Sequence, residues 1–284
     1  MNHEQQLSYG SDYHRLPVTS LESGHTHVAA PDVAAYTVQI VNVCLIGKPL
    51  SGEWVLVDAG MPGSAETIIS AAEERFGEGS RPACIVLTHG HFDHVGALIE
   101  LIGRLQVPVY AHPLEMPYLT GKESYPEPDA GVEGGMVAKI SPLFPVEPLQ
   151  LGDWVRELPE DGTVPHLAGW RWIHTPGHTP GHVSLFRDED RTLVAGDAFV
   201  TVKQDSLYKV FTQEAEVCGP PRYLTTDWPL ARDSVRRLRA LKPRAAATGH
   251  GMPMSGEELA EGLAVLADDF DEVAWPKYGK YVPH

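Results

Sequence analysis

Cys84-Ile85-Val86-Leu87-Thr88-His89-Gly90-His91-Phe92-Asp93-His94 is the stretch that decides the fold. Four apolar residues in succession read as a buried strand. After Thr88 come four metal-competent side chains, His89, His91, Asp93 and His94, packed into one short loop. α/β proteins concentrate their chemistry where a buried strand gives way to a loop. Imidazole and carboxylate together suit borderline divalent cations such as zinc. Histidine makes up only 14 of the 284 residues, so an H-x-H-x-D-H run is a specific signal rather than a product of composition.

The same pattern, an apolar run closed by a ligand-type residue beside glycine, recurs along the chain. Asp58 closes Leu56-Val57 and precedes Ala59-Gly60. His178 and His182 sit in the turn Thr175-Pro176-Gly177-His178-Thr179-Pro180-Gly181-His182. Asp197 follows Ala195-Gly196, and His250 stands between Gly249 and Gly251. Glycine at such places lets backbones approach closely or adopt positive φ. His25-Thr26-His27 is an isolated H-x-H with no second ligand group after it, and His112 and His174 end apparent strands. These three places are expected to be structural. Lys203, Tyr208 and Lys209 follow Asp197. Lys203 and Tyr208 are the candidate substrate-pocket residues, a tyrosine there being able to hydrogen-bond a developing oxyanion.

Residues 1–34 are polar and mixed, an arm or edge strand; residues 35–284 read as one domain. The β-branched run 35–46 predicts a strand, 53–59 the next, and Ser64 caps a helix that carries Ile68, Ile69, Ala72 and Phe76 and ends at Gly77. Residues 95–105 predict a helix with a weak spot at Gly103, and 107–111 a strand. The segment 113–148 is rich in Pro and Gly and lacks a period, which predicts a pocket-lining insertion. Strands follow over 170–174, 182–186, 192–195 and 245–248, with an amphipathic helix over 228–241 and a last helix, capped by Ser255, that carries Leu259, Leu263 and Leu266. This order suggests two sheets face to face with helices outside, in one domain. A doubly wound sheet is the alternative.

The formal charge is −16, from 22 basic and 38 acidic residues. That excludes the basic footprint of a nucleic-acid binder and disfavours anionic membrane surfaces. Cys44, Cys84 and Cys218 are odd in number and far apart, which is not a disulfide framework. With a polar start at Met1–Gln6 and no long apolar span, a cytoplasmic setting is expected.

The ordered set D-x-G, H-x-H-x-D-H, P-G-H-T-x-G-H, G-D and G-H resembles the metallo-β-lactamase-fold hydrolase superfamily, and within it the glyoxalase II-like branch. The motifs run from Asp58 to Gly251, most of the chain. The resemblance implies a four-layer αββα sandwich, of α/β (α+β) class, with a binuclear site for two divalent ions, zinc first and iron or manganese as other occupants. It implies that His89, His91 and His178 hold one ion, that Asp93, His94 and His250 hold the other, and that Asp197 bridges them. Asp58 matches the aspartate that orients the ligand loop, and His182 the motif's second histidine, outside the ligand set.

The expected reaction is hydrolysis of a small ester, thioester or lactone by a hydroxide shared between the ions, with Asp93 orienting it and taking its proton. Bound zinc lowers the pKa of water from ~15.7 to about 7, more than a side-chain base supplies. β-Lactam or phosphodiester hydrolysis, or a mononuclear iron sulfur dioxygenase on the same scaffold, are the alternatives. Glutathione-thioester specificity is not expected, because the C-terminal end is acidic from Glu257-Glu258 to Asp268-Asp269. A small molecule is the expected partner, and a homodimer a possible assembly.

Overall fold

The computed structural model describes residues 7–283; residues 1–6 of the expected arm and His284 lie outside the described residues. Seven strands form a first sheet in chain order: β1 (Thr26–Ala30), β2 (Val33–Val38), β3 (Val41–Ile46), β4 (Val55–Val57), β5 (Ile85–Val86), β6 (Val109–Ala111) and β7 (Val155–Glu157). Pairing is antiparallel from β1 to β4 and parallel from β4 to β7. The chain then lays down β8 (Trp170–His174), β9 (Val183–Arg187) and β10 (Thr192–Val194) as an antiparallel meander. A separate ribbon, β11 (Val200–Val202) with β12 (Ala215–Cys218), precedes β13 (Ala245–Ala247) and β14 (Met254–Ser255). β13 lies parallel beside β10, and β14 closes the edge of this second sheet.

The helices are α1 (Ala65–Phe76), α2 (Phe92–Val95), α3 (Leu98–Leu105), α4 (Met116–Leu119), α5 (Gly135–Ile140), α6 (Leu207–Thr212), α7 (Trp228–Ala240), α8 (Gly256–Asp268) and α9 (Phe270–Val273). Strand alternation assigns the layers. Val43, Leu45 and Leu56 point outward and pack with Ile68 and Ala72 of α1 and Leu98 and Ile102 of α3. Their neighbours Cys44, Ile46, Val55 and Val57 point the other way, onto Val183, Leu185 and Val194 of the second sheet. Phe186 and Leu193 in turn face Val235 and Leu238 of α7 and Leu259 and Leu263 of α8. Three apolar interfaces separate four layers, helices, sheet, sheet, helices. The fold is the αββα sandwich rather than a doubly wound sheet.

Several local expectations are corrected. The run 35–46 is a hairpin, not one strand: β2 and β3 pair Val38 with Val41 across a two-residue turn at Gln39-Ile40. Gln39 takes φ 58, the left-handed region that such turns require, without the glycine that usually announces it. The helix expected over 95–105 breaks at Gly96-Ala97, not at Gly103. The Gly96 and Ala97 N–H groups donate to the carbonyls of Gly60 (2.8 Å) and Ala59 (3.2 Å). Neither Ser64 nor Ser255 caps its helix through its side chain; the Ser64 hydroxyl donates to the Met61 carbonyl at 2.7 Å instead. The segment 113–148, which lacks a sequence period, holds α4, α5 and two short 3-10 turns.

All the ligand-type residues sit at one edge of the sandwich. β4, β5, β10 and β13 each end at that edge and are followed by Asp58, the 88–94 loop, Asp197 and His250. Two cross-sheet contacts hold the edge together. The Val183 N–H donates to the Thr88 carbonyl at 2.9 Å. The Asn42 amide donates to the carbonyls of Thr248 (3.0 Å) and Gly251 (2.6 Å).

Candidate metal centre

Asp58 is the anchor of the ligand loop. Its carboxylate accepts from the Thr88 N–H (2.7 Å) and hydroxyl (2.8 Å), and from His94 Nδ1 at 2.8 Å. Its backbone takes φ 63, a left-handed conformation that costs a non-glycine residue ~1–3 kcal/mol. Three hydrogen bonds to a carboxylate contribute ~1.5–3 kcal/mol each and outweigh that strain.

The hydrogen bonds behind the ligand rings fix their tautomers. His250 Nδ1 lies 2.8 Å from the Ile40 carbonyl, an acceptor only, so Nδ1 carries the proton. His178 Nδ1 meets the Thr225 hydroxyl at 3.1 Å, and that hydroxyl donates onward to the Pro221 carbonyl at 2.8 Å. His89 Nδ1 meets the Thr88 hydroxyl at 3.1 Å, already committed to Asp58. With His94 held by Asp58, four imidazoles carry their proton on Nδ1 and turn Nε2 to a common centre. His91 is the exception: its Nδ1 faces His178 Nε2 at 3.0 Å. Two nitrogens on one tetrahedral zinc at ~2.0–2.1 Å lie about 3.3 Å apart, so this pair has the spacing of co-ligands.

Ligand atoms of His89, His91 and His178 lie within 4.8 Å of one another, as do those of Asp93, His94 and His250. Asp197 touches both groups. Its Oδ2 is 3.6 Å from His178 Nε2 and 3.2 Å from His250 Nε2, and its Oδ1 is 3.5 Å from His94 Nε2. All seven residues are buried. Yet His89 Nε2, His94 Nε2, Asp93 Oδ1 and Asp197 Oδ1 have no hydrogen-bond partner among the described residues. Buried polar atoms are rarely left so, and here all four converge on one centre. Their chemistry and convergence fit divalent cations.

The electrostatics agree. Burial and mutual repulsion hold His89 and His178 well below the usual imidazole range, and burial brings His91 to about 3. These rings offer lone pairs, not charge. Burial alone would lower His94 as well, but Asp197, Asp93 and Asp58 outweigh it and hold the ring well above the usual range. His250 is raised by Asp197 and Asp93 against the same burial. Burial raises Asp93, whereas His250 and His94 pull Asp197 far down despite its burial. The carboxylates thus demand positive charge at the place where the lone pairs point.

His182 stands behind the cage. Its Nε2 accepts from the Asp197 N–H at 2.9 Å, and its Nδ1 donates to the Thr175 hydroxyl at 2.8 Å. Burial drives its pKa to about 3, so it stays neutral and places Asp197. A side chain at Gly249 would overlap the Asp197 carboxylate, so the backbone must be bare there. His112 and His174 stack on each other at 4.3 Å, apart from the cage. His27 Nε2 pairs with Glu22 at 3.2 Å, far from the ligands in sequence and outside the ligand groups.

Glu115 escaped the sequence reading. It is fully buried, and it ties the two ligand loops together. It accepts from the N–H of Gly90 (2.9 Å) and of Gly181 (2.8 Å), from the Thr179 hydroxyl (2.7 Å) and from the Tyr125 hydroxyl. Burial raises its carboxyl and the four donors pull it back. His112-Pro113-Leu114-Glu115 carries no signal beyond one acidic residue after a strand.

A cavity of about 290 Å³ opens against Asp93, between residues 16–19, α5 and α6. The expected pocket residues do not line it. Tyr208 is 71 % exposed on the outer side of α6, and Lys203 lines a separate groove with Arg222 and Glu216. One turn of α6 carries both faces, and Leu207, Val210 and Phe211 are the ones that meet the cavity, with Gln204 just before the helix.

Comparison with known proteins agrees with this geometry. The model of the metallo-beta-lactamase superfamily matches residues 36–250. A Bacillus subtilis (strain 168) protein described as "Probable metallo-hydrolase YflN" is 49 % identical over 259 residues, covering 91 % of this chain and 98 % of its own. Hydroxyacylglutathione hydrolase GloC of Haemophilus influenzae is 29 % identical over 144 residues, 50 % of this chain and 59 % of its own. Among solved structures, TTHA1623 in a di-iron-bound form is similar with a TM-score of 0.51 and 28 % identity, covering 80 % of this chain and 92 % of that one. The matched span takes in every motif from Asp58 to His250, and the chain belongs to the metallo-beta-lactamase superfamily.

Proposed function

We propose that this metallo-hydrolase holds two divalent cations and hydrolyses the carbonyl of a small ester, thioester or lactone. The observation that carries the reading is the single Asp197 carboxylate reaching both ligand groups at once. His89, His91 and His178 would hold one ion and Asp93, His94 and His250 the other, with Asp197 between. Zinc suits the donor set best, and iron or manganese are the other candidates. When bound, the pair supplies an acidified water at neutral pH and positive charge for a developing oxyanion.

The chain's own residues do the rest. Asp93 stands at the boundary between cage and cavity, with Oδ1 free of any partner among the described residues. It orients the attacking water and takes its proton, then returns it to the leaving group. The protons locked on Nδ1 of His89, His94, His178 and His250 keep those rings from competing for it. Asp58 and Glu115 hold the two loops in register, so the nucleophile and the carbonyl meet without reorganisation. The glyoxalase II-like branch is supported through GloC at low identity only.

The net charge of −16 and the small, largely apolar cavity favour a small-molecule substrate over nucleic acid. No helix among the described residues is long and apolar enough to cross a membrane. Free thiols at Cys44, Cys84 and Cys218 fit a reducing cytoplasm. The test is a screen of lactones, thioesters, esters, nitrocefin and a phosphodiester on protein of measured metal content. Carbonyl turnover that disappears in His91→Ala together with bound metal supports the reading. Turnover unchanged in that variant, or oxygen uptake with a single iron, contradicts it.

A further inference from the structure

The cavity beside Asp93 says more about what the site takes. Apart from Thr19, Asp93, Gln204 and Tyr223 its wall is apolar, and it includes no Lys, Arg or His. Its volume of about 290 Å³ falls just below the ~300–1,000 Å³ of small-ligand sites. Asp93 belongs to both wall and cage, so whatever fills the cavity has one end at the reacting centre. Leu207 and Phe211 line it while standing 47 % and 45 % exposed. Apolar side chains half in water at a cavity mouth gain when an apolar ligand covers them.

One polar group in this wall lacks a partner. Gln204 is 3 % exposed, its Oε1 lies 3.5 Å from the Tyr223 hydroxyl, and its Nε2 has no hydrogen-bond partner among the described residues. Tyr223 is buried too, which keeps its phenol protonated, so the hydroxyl donates to Oε1 and leaves the Nε2 hydrogens of this wall residue without an acceptor among the described residues. A buried donor without a partner is a costly feature in a stable protein unless something else completes it.

We propose that this cavity is an acyl pocket for uncharged, apolar chains, and that Gln204 reads one hydrogen-bond acceptor on the chain. The proposal rests on the carbonyl-hydrolase reading above for its kinetic test, but not for its binding test. An anionic tail would lose its water without meeting a Lys, Arg or His in this wall. A hydrocarbon tail is accommodated, and a tail with a ketone or amide oxygen at the depth of Gln204 gains a bond that water cannot supply in its place.

The test uses the metal-loaded protein and ethyl esters of equal acyl length. These are ethyl hexanoate, monoethyl adipate with a carboxylate in place of the last methyl, and ethyl hexanoates with a ketone at successive positions. kcat/KM for ethyl hexanoate is expected to exceed that for monoethyl adipate at least ~10-fold. One ketone position is expected to gain about fivefold over ethyl hexanoate, the yield of one net hydrogen bond. In Gln204→Leu, and in Gln204→Met as a second variant, that ratio falls to about one, with folding checked by thermal melting. Calorimetric titration with heptan-2-one reads the cavity without turnover, and Val210→Asp is expected to abolish the binding. Binding of heptan-2-one without hydrolysis of any ester would refute the hydrolase reading and leave the pocket standing. Equal rates on hexanoate and adipate esters, an unchanged ketone ratio in the Gln204 variants, or no heptan-2-one binding would overturn the pocket.

Discussion

Replacing Glu115 by glutamine changes one heavy atom, a carboxylate oxygen to an amide nitrogen, and tests the idea that one buried carboxylate locks the ligand loops. Each carboxylate oxygen serves one backbone N–H and one hydroxyl: Oε1 takes Gly181 and Thr179, Oε2 takes Gly90 and Tyr125. A glutamine must present an NH₂ to one of these pairs. The hydroxyl there can rotate and accept, but the backbone N–H cannot. With the NH₂ toward Thr179 the buried Gly181 N–H is orphaned, at ~1–3 kcal/mol; with it toward Tyr125 the Gly90 N–H keeps only the Tyr125 hydroxyl, 2.9 Å away, and faces the amide hydrogens. Loss of a charge that burial disfavours offsets part of this, since burial holds the Glu115 carboxyl above its ordinary 4.5.

The net loss is about 1–2 kcal/mol, or roughly 2–8 °C in Tm for a chain of this size. Glu115→Ala takes the acceptor from Gly181, Thr179 and Tyr125, leaves the Gly90 N–H only the Tyr125 hydroxyl, and opens a void, for ~3–5 kcal/mol. The assay is urea unfolding followed by circular dichroism, with metal content measured on the same samples. Gly90 lies between His89 and His91, and Gly181 precedes His182, so metal retention should fall in parallel with stability. A Glu115→Gln midpoint equal to wild type, or a Glu115→Ala no worse than Glu115→Gln, would refute the reasoning.

Three further outcomes follow from the geometry. Asp58→Asn keeps shape but cannot accept from both the Thr88 N–H and His94 Nδ1; metal affinity should drop ~10–100-fold in chelator competition, and an unchanged affinity would contradict the anchoring role. Gly249→Ala puts a methyl against the Asp197 carboxylate, so the purified variant should carry less metal per chain than wild type by elemental analysis. His182 is held at about 3, below its ordinary 6.5. Its contribution to stability is therefore complete above pH 6.5 and is lost as pH falls toward about 3, because the unfolded state takes the proton first. Its ring resonance in NMR should not titrate above pH ~4, and a titration near 6.5 would show the ring to be free of Asp197.

The sequence was most legible where chemistry and chain position coincide. His89 to His94 follow one buried strand in six consecutive positions, so their convergence needs no long-range knowledge. The layers were legible because apolar runs on both sides of a strand imply burial on both faces. The Gln39-Ile40 turn was not, since its left-handed residue is neither Gly nor Asn. Glu115 was illegible for a different reason: three of its four donors come from residues 25 to 66 positions away. Lys203 and Tyr208 were chosen for their chemistry, but the turn of α6 sends the apolar neighbours inward and the tyrosine out. Which face of a short helix meets a cavity depends on packing from residues 16–19 and α5, and no local periodicity encodes it.

Anomalous diffraction from zinc-loaded crystals tests the central claim most directly. Two peaks are predicted, one among His89, His91 and His178 and one among Asp93, His94 and His250, each within bonding distance of Asp197. A single peak, or ions bound only elsewhere on the chain, would contradict the account.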